Sequence, residues 1–219
     1  MFGRCLSADL CSEVSTQQKV SFLSCRNLFI FIGSLVISLS LLSLFFHSIL
    51  FRDLKPDNIG LNFDGNLKIF DFGLAKELKK ENKLGEDQYH ASAKTGTQRY
   101  MAPEVYLTEV YGLPADIYSF SIILWEMMSL KIPFGKMSAS GHVRGTFEKK
   151  QRPKLRSYGW PEDVKCLIKG GWSHRPVQRP KINIVHNRLA VSLQSRGWTV
   201  NDTKAEFLGD RIDLGNSSD

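Results

Sequence analysis

The stretch F-R-D-L-K-P-D-N at residues 51–58 decides the fold, and it is followed by D-F-G at residues 71–73. Together the two stretches supply carboxylates, one side-chain amide and one lysine within a short length of chain. Carboxylate and amide oxygens are suitable ligands for a hard divalent cation. A lysine ammonium group can neutralise the charge of a phosphate. These residue types in this order therefore indicate a site built for a negatively charged ligand and its metal ion.

Three further motifs follow in chain order. They are T-G-T-Q-R-Y-M-A-P-E at residues 95–104, D-I-Y-S-F at residues 116–120, and W-S-H-R-P-V-Q-R-P at residues 172–180. A single motif of this kind is weak support for any function. Five motifs in a fixed order over residues 51–190 are strong support.

The chain between these motifs has recognisable secondary-structure patterns. Apolar residues at helical spacing predict helices over 114–131, near 162–170 and over 180–195. Ile59–Leu61 and Leu67–Phe70, joined by the turn residues Asp64 and Gly65, predict a β-hairpin. The charged stretch 74–100 is expected to be a long flexible loop.

The ordered motifs resemble the C-terminal lobe of a protein kinase. The resemblance implies an α+β fold, mainly α-helical, with a small β-hairpin at the catalytic edge. It implies an enzyme that transfers the γ-phosphate of ATP to serine and threonine hydroxyls of protein substrates, with ATP and Mg²⁺ as cofactors. S-F-S-I-I-L-W-E-M and G-W-S-x-R-P are similar to the tyrosine-kinase-like group of serine/threonine kinases.

The resemblance assigns a role to each residue of the catalytic set. Asp53 is expected to accept or orient the proton of the substrate hydroxyl, and Thr97 is placed to contact it. Lys55 is expected to neutralise charge on the transferring phosphoryl group. Asn58 and Asp71 are the expected magnesium ligands. Lys55 and the G-T-x-x-Y pattern favour serine/threonine over tyrosine substrates.

A second set of residues is expected to support the site. By the same resemblance, Asp116 anchors the backbone of the catalytic loop, and Arg179 forms a buried ion pair with Glu104. Phe51 stands where the family usually has histidine, and its ring is expected to pack against Phe72.

Arg52, which precedes Asp53, indicates regulation by phosphorylation. An arginine at this place can pair with a phosphate group. Ser92 and Thr95 are the candidate acceptors, and the alternative is that both are ordinary solvated hydroxyls.

The residues before the catalytic loop do not match the family pattern. They contain no glycine-rich loop, no strand carrying the ATP-pairing lysine and no hinge, so the resemblance is to a kinase whose N-terminal lobe is missing. The alternative function is therefore a catalytically inactive, kinase-like scaffold that is membrane-anchored or free.

The chain divides into four segments by composition. We expect a polar N-terminal segment at 1–26, an apolar segment at 27–50, the kinase lobe at 51–194, and a polar, disordered tail at 195–219.

The run from residue 28 to 50 has three open interpretations. It is long enough for a transmembrane helix, which would anchor the lobe to a membrane. It also fits the buried helix and short strand that precede the catalytic loop in the family. The third interpretation is foreign sequence joined to kinase sequence near Ser48, as in a mispredicted exon.

Charge and cysteine content bear on partners and location. The net charge of the 219 residues is +7, but the basic stretch 149–156 has no aromatic interleaving, so nucleic-acid binding is not expected. The four cysteines show no C-x-x-C spacing, which favours free thiols in a reducing compartment and a cytoplasmic kinase lobe.

Overall fold

The structure is a computed structural model that describes residues 16–63, 66–155 and 159–196. The α-helices are α1 (Thr16–Phe46), α2 (Pro103–Leu107), α3 (Pro114–Ser129), α4 (Ala139–His142), α5 (Glu162–Gly171) and α6 (Ile182–Gln194). The strands are β1 (Ile49–Leu50), β2 (Ile59–Leu61), β3 (Leu67–Ile69), β4 (Lys76–Glu77), β5 (Lys83–Gly85), β6 (Gln88–His90) and β7 (Val110–Tyr111). Short 3₁₀ turns lie at Pro56–Asn58, Lys80–Asn82 and Pro176–Gln178, and Val143–Glu148 is π-helical.

Helix α3 is the centre of the core. It begins with Pro114, whose fixed φ suits the first helical turn. Nearly all of its residues are buried, including polar ones such as Asp116, Ser119 and Ser121, so the helix is surrounded by the rest of the lobe. It packs against α1 and α5, so the predicted helix over 114–131 is present and organises the lobe.

Helix α1 contains most of the apolar run from 28 to 50. Leu35, Ile37 and Leu41 are buried, and the helix packs against α6 and α3. Strand β1 follows it directly. This packing has the features expected under the second interpretation, a buried helix and a short strand. Within the described residues, no helix is both long and apolar enough to cross a membrane.

Two predicted segments lie partly outside the described residues. Helix α1 begins at Thr16, inside the stretch predicted to be a polar N-terminal segment, and residues 1–15 are not described. Of the predicted tail, residues 197–219 are not described, and the same holds for the hairpin turn at residues 64–65.

The strands form three small antiparallel sheets. Strands β2 and β3 pair as the predicted hairpin, with Ile59 opposite Ile69. The expected loop over 74–100 is instead partly β-structure, because β4 pairs with β1 and the β5–β6 hairpin pairs with β7. These strands are two or three residues long, too short for an alternating pattern to show in the sequence.

Candidate active site

The carboxylate of Asp53 lies at the centre of a hydrogen-bond network. Its Oδ1 accepts hydrogen bonds from the backbone N–H and the Oγ1 of Thr97, both at 2.7 Å. Its Oδ2 accepts from Nζ of Lys55 at 2.7 Å and from Nδ2 of Asn58 at 3.2 Å. Asp53 is only 7% exposed. The structure thus brings together four of the five predicted catalytic and ligand-binding residues.

This environment keeps Asp53 ionised at neutral pH. Burial acts to raise the pKa of Asp53, but hydrogen bonds from Lys55 and Thr97 outweigh burial, and the pKa lies below its ordinary value. A carboxylate with several donors is a weak base that is held in one orientation. Its geometry is therefore better suited to orienting a hydroxyl than to removing a proton early.

Asn58 faces Asp53 with its nitrogen. Nδ2 also donates to the backbone carbonyl of Asp53 at 2.9 Å, so the side-chain nitrogen is fully used. No hydrogen bond is made to the side-chain oxygen of Asn58 within the described part of the chain. That oxygen is a free acceptor of the type that magnesium prefers.

Asp71, at the start of the D-F-G stretch, is exposed. Its backbone is left-handed, with φ of 59°, and its Oδ1 accepts a hydrogen bond from the N–H of Gly73 at 3.2 Å. The N–H of the preceding residue, Phe70, donates to the carbonyl of Asn58 at 2.8 Å. This backbone bond holds the start of the D-F-G stretch beside Asn58.

The ring of Phe51 packs edge-on against Phe72. The ring centroids are 5.2 Å apart and the planes are at 87°. Phe51 is fully buried, whereas Phe72 is 39% exposed. The predicted aromatic contact is therefore present, and it ties the D-F-G stretch to the catalytic loop.

Asp116 fixes the backbone of the catalytic loop, as predicted. Its two carboxylate oxygens accept hydrogen bonds from the N–H groups of Phe51 at 2.7 Å and Arg52 at 3.0 Å. Burial raises the pKa of Asp116 to about 6, although the two backbone donors act to lower it. The first turn of α3 thus sets the position from which Asp53 projects.

Glu104 and Arg179 form the predicted ion pair. The guanidinium contacts both carboxylate oxygens, at 2.5 and 2.7 Å, and its side chain is completely buried. It also donates to the carbonyls of Ser173 and Pro114, at 3.0 and 2.8 Å. Because all of these groups are paired, the charge is tolerated in the core. The pair joins the end of the segment that carries Thr97 to the start of α3.

Arg52 lies beside one of the two predicted acceptors. Its Nε donates to the carbonyl of Leu74 at 2.6 Å, and its Nη1 donates to Oγ of Ser92 at 3.0 Å. Thr95 does not contact Arg52 and instead donates to the carbonyl of Ser92 at 2.9 Å. The exposed Ser92 hydroxyl is thus the nearer of the two to the arginine.

Gly96 is a functional position that the sequence predictions omitted. A β-carbon on Gly96 would lie 2.2 Å from the carbonyl oxygen of Arg52, and the residue has φ of +100°. Only glycine allows this close approach, which brings Thr97 within reach of Asp53. The glycine in T-G-T, next to the predicted Thr97, was the available signal.

Comparison with known proteins points the same way as this geometry. A model of the protein kinase domain matches residues 8–189. The chain is 33% identical over 163 residues to the dual specificity protein kinase shkB of Dictyostelium discoideum, an alignment that covers 73% of this chain and 24% of that protein. It is 38% identical over 146 residues to the serine/threonine-protein kinase VIK of Arabidopsis thaliana, covering 64% of this chain and 32% of that protein.

A third relative comes from a mammal. The chain is 32% identical over 146 residues to mitogen-activated protein kinase kinase kinase 12 of Rattus norvegicus, covering 67% of this chain and 16% of that protein. The chain thus spans less than a third of the length of these relatives. Since the domain match covers most of the chain, and the network around Asp53 lies within it, this chain belongs to the protein kinase family.

Proposed function

We propose that the chain carries the catalytic loop of a serine/threonine protein kinase, which transfers the γ-phosphate of ATP to hydroxyl groups of proteins. The observation that carries this proposal is the buried Asp53 carboxylate held by Thr97, Lys55 and Asn58. Phosphoryl transfer depends mostly on positioning and electrostatic stabilisation, and a fixed carboxylate beside a cation supplies both.

Asp53 would orient the attacking hydroxyl. Its pKa is lowered, so at neutral pH it is a carboxylate that can accept a hydrogen bond from a serine or threonine hydroxyl. A weak base accepts the proton only once bond formation to phosphorus has made the hydroxyl acidic. Thr97 supports this role because its two hydrogen bonds fix the rotation of the carboxylate.

Lys55 would neutralise charge on the phosphoryl group. Its Nζ donates to Oδ2 of Asp53 and, at 3.1 Å, to Oγ1 of Thr97. An ammonium group has three donors, so one remains for a phosphate oxygen. The side chain is 21% exposed and can therefore reach a bound ligand.

The site residues fit a magnesium–nucleotide complex. Asn58 offers a free amide oxygen and Asp71 an exposed carboxylate, which are hard oxygen donors. Magnesium is usually held by one or two protein groups together with substrate phosphates. The described residues contain no cluster of three or more histidine, cysteine or acidic side chains, so a pair of protein ligands is the arrangement this set supports. When bound, magnesium supplies charge neutralisation for the phosphates.

The contacts of Lys55 support specificity for serine and threonine substrates. Lys55 bridges Asp53 and Thr97, which leaves Thr97 committed to the catalytic loop. This bridge supports the serine/threonine pattern expected from the sequence. The named relatives include both serine/threonine and dual-specificity kinases.

The test compares two isosteric variants of the same loop. Transfer of labelled phosphate from ATP to serine, threonine and tyrosine peptides is measured for the wild-type chain, Asp53→Asn and Asp57→Asn. Asp57 is exposed and four positions from Asp53, which makes it a matched control. We expect Asp53→Asn to lower the rate by about 10²–10⁴-fold and Asp57→Asn to retain activity. Equal activity of wild type and Asp53→Asn would favour the inactive scaffold, and faster tyrosine labelling would overturn the specificity.

Phosphorylation of Ser92 is the regulatory part of the proposal. A phosphate on its Oγ would turn the 3.0 Å contact with Arg52 into a charge-assisted ion pair. Thr95, which donates to Ser92, is the second candidate. Mass spectrometry of active protein should find the modification at one of these residues. Active protein with neither residue modified would exclude it.

A further inference from the structure

An apolar groove lies away from the catalytic network. Its volume is about 670 Å³, and Asp53 and its partners do not line it. One wall is the C-terminal end of α1, with Leu42, Phe45 and Phe46. The other walls are the turn between β5 and β6, the start of α3, and the segment 176–183.

The rim of the groove exposes two large apolar side chains. Phe46 is 85% exposed and Val177 is 88% exposed, and they come from opposite parts of the sequence. Single exposed apolar residues are ordinary, but these two line the same apolar groove and extend its apolar surface to the solvent. A volume of this size suits a few side chains of a bound segment.

The turn between β5 and β6 makes one wall acidic. Glu86 and Asp87 are both exposed, and neither forms an ion pair with a side chain that the structure describes, which excludes those of residues 16–29 and 31. The other charged lining residues are Glu104 and Arg179, which neutralise each other, and Lys181. In a chain with a net charge of +7, the groove thus has two carboxylates, Glu86 and Asp87, against the one ammonium group of Lys181, an excess of negative charge.

The acidic wall is held in place by the neighbouring strand. A β-carbon on Gly112 would lie 2.3 Å from the carbonyl oxygen of Asp87, so the turn packs directly on the backbone after β7. Asp87 adopts a left-handed backbone with φ of 51°, which aspartate tolerates better than most residues. The two carboxylates are therefore presented beside the groove by a fixed turn.

We propose that this groove binds a peptide segment of a partner protein that combines apolar side chains with arginine or lysine. The apolar side chains would cover Phe46 and Val177, and the cations would pair with Glu86 and Asp87. Binding would brace the turn, which belongs to the segment between Asp71 and Thr97. The proposal goes beyond phosphoryl transfer, and binding can be measured whether or not the chain is catalytically active.

The test uses two labelled peptides and the full chain. Fluorescence anisotropy is recorded with Arg-Leu-Phe-Arg-Leu and its acidic counterpart Glu-Leu-Phe-Glu-Leu, at low and high salt. We expect the basic peptide to bind more tightly, by about fivefold or more, and to lose this advantage at high salt, where exposed charges are screened. Equal binding of the two peptides, or no saturable binding of either, would overturn the proposal.

Matched variants distinguish the contribution of the acidic turn to peptide binding from that of the apolar side chains. The double variant Glu86→Gln/Asp87→Asn keeps the shape of the turn and should remove the preference for the basic peptide. Val177→Ser should weaken binding about tenfold, as expected for losing one buried valine side chain. Val191→Ser is the control, because Val191 is 63% exposed on α6 and does not line the groove. Equal losses in Val177→Ser and Val191→Ser would contradict the proposal.

Self-association is the competing explanation. Sedimentation velocity of the chain should give a monomer at the concentrations used for peptide binding. A dimer that Val177→Ser dissociates would show that the groove binds a second copy, and this result would overturn the assignment to a basic peptide.

Discussion

The two sides of the candidate active site are built differently. On one side, the Asp53 carboxylate is 7% exposed and accepts four hydrogen bonds from three residues. On the other side, Asp71 is exposed, and its one hydrogen bond within the described chain comes from its own neighbour, Gly73. Both carboxylates are expected to serve the same reaction.

The difference separates preorganisation from ligand binding. The Asp53 side needs no ligand to reach its geometry, because hydrogen bonds from Thr97, Lys55 and Asn58 already hold the carboxylate in one orientation. The carboxylate of Asp71 is exposed, and under the proposed function it would gain its further partners from a cation and phosphates. Changes at Asp53 and its supports should therefore alter the free energy of unfolding. Changes at Asp71 should instead alter mainly the binding of ligands.

The largest effect is expected from breaking the support beneath the Asp53 side. Arg179→Ala leaves the carboxylate of Glu104 largely buried without its partner, and Glu104 is 11% exposed. We expect the free energy of unfolding to fall by about 3–5 kcal/mol, measured by urea denaturation. Arg179→Lys keeps the charge but loses the bidentate contact with Glu104. Its free energy of unfolding should lie between those of Arg179→Ala and the wild type.

An exposed ion pair provides the control for that experiment. Glu162 is 78% exposed and contacts Lys165 at 2.7 Å. Glu162→Gln should change the free energy of unfolding by less than about 0.5 kcal/mol. A loss in Arg179→Ala no larger than that in Glu162→Gln would show that the support contributes nothing.

The next effect tests the preorganised side itself. Asp53→Asn removes the charge and replaces one acceptor oxygen with a donor, which faces either Thr97 or Lys55. We expect a loss of about 1–3 kcal/mol in the free energy of unfolding, since hydrogen bonds to a buried charged group are weakened. Asp57→Asn, at an exposed position of the same loop, should be neutral. If Asp53→Asn has the same free energy of unfolding as the wild type, the hydrogen-bond network around Asp53 does not stabilise the fold.

A buried polar side chain without partners sharpens the contrast with Asp53. His142 is 5% exposed and lies edge-on to Phe134 and Phe147, and neither ring nitrogen has a hydrogen-bond partner among the described residues. Burial, together with the nearby charges of Arg99 and Arg152, lowers the pKa of His142 to about 4. Asp53 is thus buried among hydrogen-bond donors, whereas His142 is buried without a hydrogen-bond partner in the described part of the chain.

The sign of the pH effect follows from this pKa. Below its ordinary pKa of 6.5 the imidazole binds a proton in the unfolded chain, whereas the folded protein excludes that proton down to about pH 4. The contribution of His142 to stability is therefore complete above pH 6.5 and is lost as the pH falls. When the pH is lowered from 7 to 5, the free energy of unfolding of His142→Leu, measured by urea denaturation, should fall by about 2 kcal/mol less than that of the wild type. Phe147→Leu alters the same cage but should keep the wild-type slope, and identical slopes in wild type and His142→Leu would exclude the effect.

The smallest effect on stability is expected at Asp71. Asp71→Asn keeps a residue type that tolerates the left-handed backbone, and the side chain is exposed. The free energy of unfolding should change by less than about 0.5 kcal/mol. Magnesium-dependent protection by ATP in a thermal melt should nevertheless be lost. If Asp71→Asn greatly lowers the free energy of unfolding but leaves the magnesium-dependent protection by ATP unchanged, then Asp71 supports the fold and does not bind the ligand.

Residue types and spacing predicted more of the site than of its surroundings. The contacts of Asp53 with Thr97, Asp116 with the loop backbone, and Glu104 with Arg179 were expected, because each residue lies in a motif with a fixed place in the family. Helices α3, α5 and α6 were expected because their apolar periodicity is long enough to be distinct, whereas the short helices α2 and α4 were not.

The unpredicted parts depend on contacts that have no local pattern. Strands β4 to β6 are two or three residues long, and β4 and β6 pair with β1 and β7, which lie outside residues 74–100, so composition alone made this stretch look like a loop. The close approach of Asp87 to Gly112 and the cage around His142 depend on how separate segments meet. Such contacts leave no periodicity in the sequence.

The long sequence separations within the site have a consequence for synthesis. Asp53 and Thr97 are 44 positions apart, Phe51 and Asp116 are 65 apart, and Glu104 and Arg179 are 75 apart. Helix α1 packs against α6, which lies at the other end of the described chain. A growing chain therefore carries the catalytic loop long before its partners exist, and distant pairings of this kind slow folding. The apolar face of α1 stays uncovered until α6 has emerged, and during that interval it is a natural target for chaperones.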